Sequence, residues 1–301
     1  MKEIIDYIKK QSIGNYKTNI KLSSYTTYKV GGLCKLLVYP KNVSKLILLV
    51  RKLKESDIKY KVIGNGSNLI FSDDVYDGVI IKLDSFNKVK VNDTIIEAES
   101  GVSLIKLSYM VQKEGLSGLE FASGIPATVG GAIFMNAGAY KSDMGYIVSE
   151  VKVLDSSLNI KTLYNIDMKF KYRSSLLQNK RDYICLSAKL VLKHGDKKEI
   201  KELMESRRQK RLLTQPLEYP SAGSVFRNPL DNFAGKLIED CNLKGYNIGG
   251  AMVSEKHANF IINYKNATSS DVRNLIMYVH DKVKEKTNYD LKIEQEFVNW
   301  E

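Results

Sequence analysis

The feature that most constrains the fold is a run of small and apolar residues, GLSGLEFASGIPATVGGAIFMNAGAY, at positions 115–140. This run is too rich in glycine to predict a helix and too apolar to be a disordered linker. The small residues from Gly124 to Ala132 allow backbone to lie directly against a flat ligand or against another part of the chain. On this run alone both interpretations stay open.

A second glycine segment, GNGSN at 64–68, follows a predicted strand. Gly64 and Gly66 can adopt a positive φ and let backbone N–H groups approach an anion, and the Ser and Asn that follow add side-chain donors. The segment is therefore either a tight turn or a pyrophosphate cradle. Leu69 stands where a Rossmann fingerprint has its third glycine, so a dinucleotide site here requires a different fold.

Composition limits the class of protein. The 301 residues are 44% hydrophobic and 27% charged, which is typical of a globular chain, and the net charge of +12 favours anionic partners. The basic residues are dispersed, so a solvated lysine-rich surface explains the charge as well as a nucleic-acid partner does. No long apolar run predicts a membrane span, and the charged N-terminus is unlike a signal peptide. Three cysteines without CxxC spacing fit a reducing cytoplasm.

Known catalytic motifs are absent from the sequence. There is no HExxH motif and no Cys/His cluster, so no metal site is expected, and there is neither a P-loop nor a GxSxG elbow. All three histidines follow residue 193, which excludes a histidyl-linked cofactor in the first two thirds of the chain. Cys34 and Cys185 lie in predicted strands, where burial is the ordinary expectation.

Helical periodicity is clearest in two segments. Residues 43–54 predict a helix behind Asn42 as N-cap, and residues 271–285 predict another behind Ser269 or Ser270. The closing LKIEQEFVNW alternates as a strand would, with Glu294 and Glu296 on one face. The residue pattern of the sequence changes near residues 194–205, and this change indicates a domain boundary.

Seven motifs in a fixed order closely resemble the UDP-N-acetylenolpyruvoylglucosamine reductase family, a family of flavoenzymes of peptidoglycan synthesis. The resemblance covers nearly the whole chain, and the short segment after Arg173 is similar to the branch that lacks an inserted tyrosine loop. The family usually has glycine where this chain has Ala127, which requires a negative φ at that position. The motifs are VGG (30–32), IGNGSNLI (63–70), SGIPATVGGAIFMNAGAY (123–140), YR (172–173), SAGSVFRNP (221–229), AGKLIEDCNLKGYNIGGAMVSEKHANFIIN (234–263) and LKIEQEF (291–297).

The resemblance implies an α+β fold. A two-lobed FAD-binding domain of the p-cresol methylhydroxylase/vanillyl-alcohol oxidase type would be joined to a smaller α+β substrate domain. We expect an N-terminal helix and lead-in at 1–27, the FAD-binding domain at 28–194, and the substrate-binding domain at 195–301. The C-terminal strand of that last domain would return to the active site.

The implied activity is reduction of UDP-N-acetyl-3-O-(1-carboxyvinyl)-glucosamine to UDP-N-acetylmuramate, with non-covalent FAD and with NADPH as reductant. Hydride would pass from FAD N5 to substrate C3. The expected protein is cytoplasmic and monomeric, with no nucleic-acid or membrane partner. Two alternatives are a flavin oxidase of the same fold acting on another substrate and a nucleic-acid-binding protein without a cofactor.

The resemblance also implies the site residues. Arg173 would hold the substrate carboxylate, Ser224 would donate a proton to C2, and Glu296 would stabilise the enol form of the intermediate. Substrate binding is expected of Tyr172, Asn228, Lys244 and His257. Cofactor binding is expected of Gly64, Asn65, Gly66, Ser67, Asn68, Leu69, Ser123, Gly124, Ile125, Pro126, Thr128, Gly130, Gly131, Ala132, Asn136 and Gly138.

Overall fold

A computed structural model describes residues 1–300, which form an α+β structure. The helices are α1 (Lys2–Lys10), α2 (Val43–Glu55), α3 (Leu104–Lys113), α4 (Val129–Met135), α5 (Asn165–Met168), α6 (Leu176–Asn179), α7 (Lys197–Thr214), α8 (Ala234–Asp240) and α9 (Ser269–Thr287). The strands are β1 (Gly14–Lys21), β2 (Leu33–Pro40), β3 (Tyr60–Ile63), β4 (Leu69–Phe71), β5 (Tyr76–Lys82), β6 (Val89–Asn92), β7 (Ile95–Glu99), β8 (Leu116–Ser117), β9 (Gly138–Ala139), β10 (Ser142–Asp143), β11 (Val148–Leu154), β12 (Ile160–Tyr164), β13 (Ile184–Val191), β14 (Lys193–His194), β15 (Asn247–Ile248), β16 (Ala251–Val253), β17 (Ile261–Asn263) and β18 (Glu296–Val298).

The chain folds into two compact units that take alternate segments of the sequence. Unit 1 comprises Met1–Thr18, Leu36–Asn65 and Gly78–Gln209. Unit 2 comprises Asn19–Lys35, Gly66–Asp77 and the chain from Lys210 onward. The expected functional division at 27/28 and 194/195 stays a prediction. No helix among residues 1–300 is both long and apolar enough to cross a bilayer.

Unit 1 has two hydrophobic clusters. The first is built on an antiparallel five-stranded sheet in the order β12-β11-β13-β7-β6, with α3 and α4 contributing Leu107 and Ile133. The second joins α1 and α2 to the strands β2 and β5 through residues such as Ile8, Leu49 and Val79. In that cluster α2 begins as predicted, because the Asn42 side chain accepts a hydrogen bond from the Lys45 amide at 3.1 Å.

Helix α4 lies inside the glycine-rich run, where the sequence predicts none. Thr128 caps it by accepting a hydrogen bond from the Gly131 amide at 3.2 Å. The Gly130 amide donates to the Ser100 carbonyl at 2.8 Å. The cap and this tertiary contact compensate for the poor helix propensity of two glycines, and the expectation of no helix was therefore wrong.

Unit 2 is built around α9, which contributes Leu275 and Val279 to the core, and around the antiparallel sheet β15-β16-β17. The N-cap of α9 is Thr268, which forms a capping box with Asp271 and lies one residue before the predicted Ser269 and two before the predicted Ser270. The C-terminal strand is shorter than its alternation predicts, since only Glu296–Val298 pairs with a strand, parallel to β4.

The start of α9 also binds a carboxylate from far away in the sequence. Asp73 accepts hydrogen bonds from the amides of Ser269 at 2.8 Å and Ser270 at 2.9 Å. Partial burial raises the pKa of Asp73, but these hydrogen bonds outweigh burial and the pKa lies below its usual value. The favourable interaction is thus greatest when Asp73 is ionised.

We expect Asp73→Asn to lower the free energy of unfolding by roughly 1 kcal/mol at neutral pH, as for loss of a helix N-cap. Because the carboxyl pKa is lower in the folded state, this stabilisation is present above the unfolded-state pKa and disappears as the pH falls through the folded-state pKa. Urea unfolding of the wild type and the variant should therefore converge once the pH falls below the folded-state pKa of Asp73. Asp74→Asn is the matched control, and a difference that persists unchanged at low pH would contradict the assignment.

Candidate active site

The two glycine segments meet within unit 1. A Cβ built on Gly64 would lie 2.5 Å from the Thr128 hydroxyl oxygen, so only glycine fits there without a shift. The Asn65 side-chain amide donates to the Pro126 carbonyl at 3.2 Å. Backbone from two parts of the chain about 60 residues apart therefore forms one surface.

A buried lysine lies beneath this surface. Lys82, at the end of β5, is 8% exposed, and its ammonium donates to the Gly64 carbonyl at 2.7 Å and lies 3.3 Å from an oxygen of Asp84. Lys82 is not among the site residues predicted from the sequence. The available signal is a single charge in the apolar run GVIIKL, where a lysine has to find a polar partner if it is buried.

In helix α4, Gly131 has room on its Cβ side, and Gly130 packs against Ser100, whose hydroxyl is buried. At Gly131 a Cβ would meet only the Thr128 hydroxyl, at 3.5 Å, whereas at Gly130 it would lie 2.9 Å from the Ser100 Cβ. The Ser100 hydroxyl oxygen is buried and has no hydrogen-bond partner among residues 1–300. A buried donor next to close-packed glycines fits a ligand with acceptor oxygens, such as a dinucleotide phosphate. Ala127 keeps a negative φ, so its Cβ is compatible with the turn.

Other residues of unit 1 that are predicted to bind the cofactor form contacts within the protein. The Asn136 side chain donates to the Lys171 carbonyl at 2.9 Å and accepts from the Gly145 amide at 2.8 Å. Ser123 donates to the Glu120 carbonyl at 3.0 Å. The segment from Gly124 to Pro126 connects them to α4, Ala132 is fully buried, and Gly138 lies in β9 against β10. Their contacts with a cofactor stay predictions.

The turn that carries Arg173 is attached to the C-terminal end of α4. Arg173 has a φ of 54°, a left-handed conformation, and the backbones of Lys171 and Ser174 exchange two hydrogen bonds of 3.0 Å around it. Ser175 anchors this turn by donating to the Phe134 carbonyl at 2.8 Å. The Arg173 guanidinium carbon lies 5.0 Å from the ring centroid of the exposed Tyr172. One helix of unit 1 therefore carries the glycine surface at its start and the Arg173 turn at its end.

In unit 2 the C-terminal strand returns to the rest of the first glycine segment. Parallel pairing of β4 and β18 sets Glu296 opposite Leu69. The Glu296 amide donates to the Asn68 carbonyl at 2.9 Å, and the Asn68 side-chain amide donates to the Glu294 carbonyl at 3.1 Å. The segment 66–68 and Glu296 are thereby fixed together across more than 220 residues of sequence.

The Ser224 turn joins the same network. The Glu294 amide donates to the Val225 carbonyl at 2.8 Å, and the buried Gln295 side chain reaches the Ser224 carbonyl at 3.4 Å. Gly223 has a φ of 75°, and a Cβ there would have no atom within 4 Å, so this side of the turn is open. Two of the three predicted catalytic residues thus lie on backbone segments that are hydrogen-bonded to one another.

A second polar group at the first glycine segment lacks a protein partner. Gly66 has a φ of 64°, and its carbonyl accepts from the Thr27 amide at 3.3 Å. The buried Thr27 hydroxyl oxygen has no hydrogen-bond partner in the part of the chain that the structure describes. Gly64, by contrast, does not adopt the positive φ that the sequence allows, and close packing against Thr128 is what requires glycine there.

Three predicted substrate residues lie around α8. The Asn228 side-chain oxygen accepts from the Ala234 amide at 3.0 Å, and Lys244 forms a 2.8 Å ion pair with Glu239. His257 packs near Gly235 at the first turn of the helix, and its Nδ1 accepts from the Asn259 amide at 3.2 Å. Burial, aided by the charge of Lys244, lowers the pKa of His257, so the imidazole is neutral at physiological pH.

Within residues 1–300 no three or more His, Cys, Asp or Glu side chains are arranged to hold a metal ion. The three cysteines are buried as free thiols, as expected for Cys34 and Cys185, and burial raises the pKa of Cys185 to about 12. A thiol in that environment is a poor nucleophile.

Comparisons with known proteins agree on one family. A family model for the C-terminal domain of UDP-N-acetylenolpyruvoylglucosamine reductase matches residues 215–298, and a model for an FAD binding domain matches residues 34–162. The chain is 45% identical over 292 residues to the UDP-N-acetylenolpyruvoylglucosamine reductase of Anoxybacillus flavithermus, covering 97% of this chain and 95% of that protein. It is 42% identical over 299 residues to the enzyme of Bacillus subtilis, covering 99% of each.

A solved structure shows the same fold. The crystal structure of UDP-N-acetylenolpyruvylglucosamine reductase from Thermus caldophilus superposes with a TM-score of 0.81 at 32% identity, covering 94% of this chain and 98% of that one. The predicted α+β FAD-binding fold is thereby confirmed, and FAD is the cofactor of this chain. The glycine surface of unit 1 and the Ser100 hydroxyl beside it fit such a cofactor.

We expect Lys82→Met to weaken FAD binding, because the variant removes the charged donor that holds the Gly64 carbonyl. A hydrogen bond from a charged group is worth roughly 1.5–3 kcal/mol, which corresponds to an increase of about tenfold or more in the FAD dissociation constant. The measurement is titration of apo-protein with FAD, followed by flavin fluorescence.

Lys45→Met is the matched control, since Lys45 also donates to a backbone carbonyl in unit 1, that of Gln11 at 2.6 Å. Equal FAD affinity in the Lys82 variant, the control and the wild type would show that Lys82 does not support the cofactor surface.

Proposed function

The chain belongs to the UDP-N-acetylenolpyruvoylglucosamine reductase family, as its motifs predict, and we propose that it uses NADPH to reduce UDP-N-acetyl-3-O-(1-carboxyvinyl)-glucosamine to UDP-N-acetylmuramate. The chain is an FAD-dependent oxidoreductase. Its substrate, an enol ether conjugated to a carboxylate, becomes electrophilic at C3 when the carboxylate can accept negative charge. The product is a precursor of peptidoglycan.

When bound, FAD would supply the hydride-transfer chemistry that links NADPH to C3 of the enolpyruvyl group. The residues that would hold FAD are the segment 64–69 and the segment 123–138, and Ser100 and Thr27 each offer a buried hydroxyl donor beside them. Non-covalent binding is proposed because no histidine precedes residue 194 and because the nearest thiols are buried. The nucleotide-linked substrate and NADPH are cytoplasmic metabolites, so we assign the reaction to the cytoplasm.

Arg173 would bind the substrate carboxylate. A planar guanidinium can contact both carboxylate oxygens and stabilise the negative charge that spreads from C2 into the carboxylate. The rigid turn supports this role, since its backbone hydrogen bonds and the Tyr172 ring hold the side chain before substrate arrives. A positive charge that is already in position stabilises the transition state more than one that has to reorient during the reaction.

Ser224 would donate its hydroxyl proton to C2, and Glu296 would hydrogen-bond the developing enol. Serine is a weak acid, but the acceptor is a carbanion-like carbon and therefore a strong base. The observation that carries this proposal is the hydrogen-bond network of unit 2, in which the Ser224 turn, the Glu296 strand and the 66–68 segment are bonded together. A proton donor and a charge stabiliser must be fixed in this way to act on adjacent atoms.

The UDP moiety would lie near α8, where Asn228, Lys244 and His257 are grouped, with Tyr172 as a further contact. Lys244 supplies a positive charge for phosphate, and the neutral His257 supplies a hydrogen-bonding group without a second charge. The excess of positive charge over the chain suits three anionic ligands, namely FAD, NADPH and the substrate.

We expect Ser224→Ala to separate the two half-reactions. Under anaerobic conditions NADPH should bleach the bound flavin at nearly the wild-type rate, because Ser224 takes no part in that step. Recovery of the oxidised spectrum after addition of the UDP-enolpyruvyl sugar should be slowed by about 10² to 10⁴-fold, as is typical for loss of a proton donor. Stopped-flow absorbance of the flavin measures both rates, and Ser221→Ala is the control.

Three outcomes would contradict the proposed function. The first is failure of the UDP-enolpyruvyl sugar to reoxidise the wild-type flavin. The second is rapid oxygen consumption with another substrate, which favours a flavin oxidase. The third is a colourless protein whose affinity for nucleic acid falls steeply with salt.

Arg173→Lys should also slow reoxidation of the flavin by substrate, because an ammonium cannot make the paired contacts of a guanidinium. We expect a loss of at least about tenfold in that step and an increase in the substrate KM. Arg208→Lys, a change at an exposed ion pair with Glu205, is the control. Near-native turnover in the Arg173 variant would exclude it as the carboxylate ligand.

A further inference from the structure

A buried glutamine lies between the two glutamates of the C-terminal segment. Gln295 is 4% exposed, and its side-chain nitrogen lies 3.3 Å from the Ala222 carbonyl oxygen, 3.3 Å from that of Gly223 and 3.4 Å from that of Ser224. All three oxygens can only accept, so the amide must direct its NH₂ group toward them. The side-chain amide of Gln295 thus contacts all three of these carbonyls in the turn that carries Ser224.

The other end of the amide is held by a tyrosine from an early part of the chain. The Tyr28 hydroxyl donates to the Gln295 side-chain oxygen at 3.2 Å, and the two residues are 267 positions apart. Tyr28 is fully buried, and burial raises its pKa, so the hydroxyl stays protonated and remains a donor. Donor and acceptors therefore fix the amide in one orientation.

The turn depends on this amide for its conformation. Three carbonyl dipoles that converge on one point repel one another unless a donor lies between them. Gly223 is left-handed, with φ of 75°, and has open space on its Cβ side, so packing at that position does not restrain the turn. The direction of the Ser224 backbone is thus set by hydrogen bonds, and Gln295 supplies three of the contacts.

The same residue is covalently attached to Glu296. The Glu296 amide is anchored to the Asn68 carbonyl, and the Glu294 amide is anchored to the Val225 carbonyl. Gln295 therefore cannot change its position without moving both the Ser224 turn and the Glu296 strand.

We propose that Gln295 is a positioning residue that holds Ser224 and Glu296 in register for protonation of the substrate. This inference rests on the proposed function, which assigns proton donation to Ser224. A displacement of about 1 Å at a reacting group can cost on the order of 10²-fold in rate, so a side chain that fixes the turn acts on the chemical step without touching substrate.

The test uses Gln295→Met and Gln295→Glu in the FAD-loaded protein. Methionine has a similar length but no donor, and glutamate has the same shape but replaces the NH₂ group by oxygen. Gln295→Met should leave flavin reduction by NADPH within about twofold of wild type and slow reoxidation by the UDP-enolpyruvyl sugar by at least about tenfold. A purely structural role would lower FAD content and affect both steps alike.

Gln295→Glu provides a pH profile that a structural role does not predict. When protonated, its carboxyl group can donate to one of the three carbonyls, and when ionised it faces all three with negative charge. The reoxidation rate of this variant should therefore fall as the pH rises through the pKa of the introduced carboxyl, in a titration that the wild type lacks. If Gln295→Met fails to bind FAD, this profile decides the question.

Tyr289→Phe is the matched control, because it also removes one hydroxyl hydrogen bond in unit 2, a 3.0 Å contact with Asp231. Wild-type reoxidation in Gln295→Met, or a Gln295→Glu rate that follows the wild-type pH profile, would overturn the proposal. Ser224→Ala in the same assay distinguishes failure of the positioning role from failure of the proposed function. If it slows reoxidation and Gln295→Met does not, only the positioning role fails, whereas if Ser224→Ala has no effect, the proposed function itself fails.

Discussion

Close approach of glycine backbone to side chains from other segments is the constraint on which the cofactor surface depends. A side chain at Gly64 would collide with Thr128, and a side chain at Gly130 would collide with Ser100. The contact of Gly64 with Thr128 joins two segments of unit 1 that the sequence separates by about 60 residues, and the contact of Gly130 with Ser100 joins α4 to the residue after β7. The same packing creates the start of α4, whose other end holds the Arg173 turn. A flat cofactor and a fixed cation can therefore be organised by one short helix.

Unit 2 achieves a comparable organisation with hydrogen bonds. The C-terminal strand adds to β4 immediately after the glycine segment, and the side chain of Asn68 binds back to that strand. Gln295 ties the strand to the Ser224 turn, and Tyr28 orients Gln295. Long-range pairing of this kind is entropically costly, and it persists because each buried polar group gains a partner that water would otherwise supply.

Local sequence signals predicted the features that depend on neighbouring residues, such as helix caps. Asn42 caps α2, as its position before the helix-periodic residues 43–54 predicts. The seven ordered motifs correctly identified the family and the FAD-binding fold. Prediction failed where tertiary contacts override propensity, as in α4, whose glycines are helical because Thr128 caps them and Ser100 accepts from one of them.

The two supporting residues, Lys82 and Gln295, have only weak signals in the sequence. Lys82 is one charge in an apolar strand, and Gln295 lies between two glutamates in a segment that alternates. Their importance comes from carbonyl groups that only the folded chain brings to them. Each compact unit is likewise built from three separate stretches of sequence, and a change of composition along the chain cannot predict such an arrangement.

The central claim is that Arg173, Ser224 and Glu296 act together on one enolpyruvyl group. A crystal structure of the protein with FAD and the UDP-enolpyruvyl sugar tests it most directly. The account predicts the Arg173 guanidinium on the substrate carboxylate, the Ser224 hydroxyl in contact with C2, and the Glu296 carboxyl beside the developing enol. A fully bound substrate with any one of these three side chains out of contact would contradict the account.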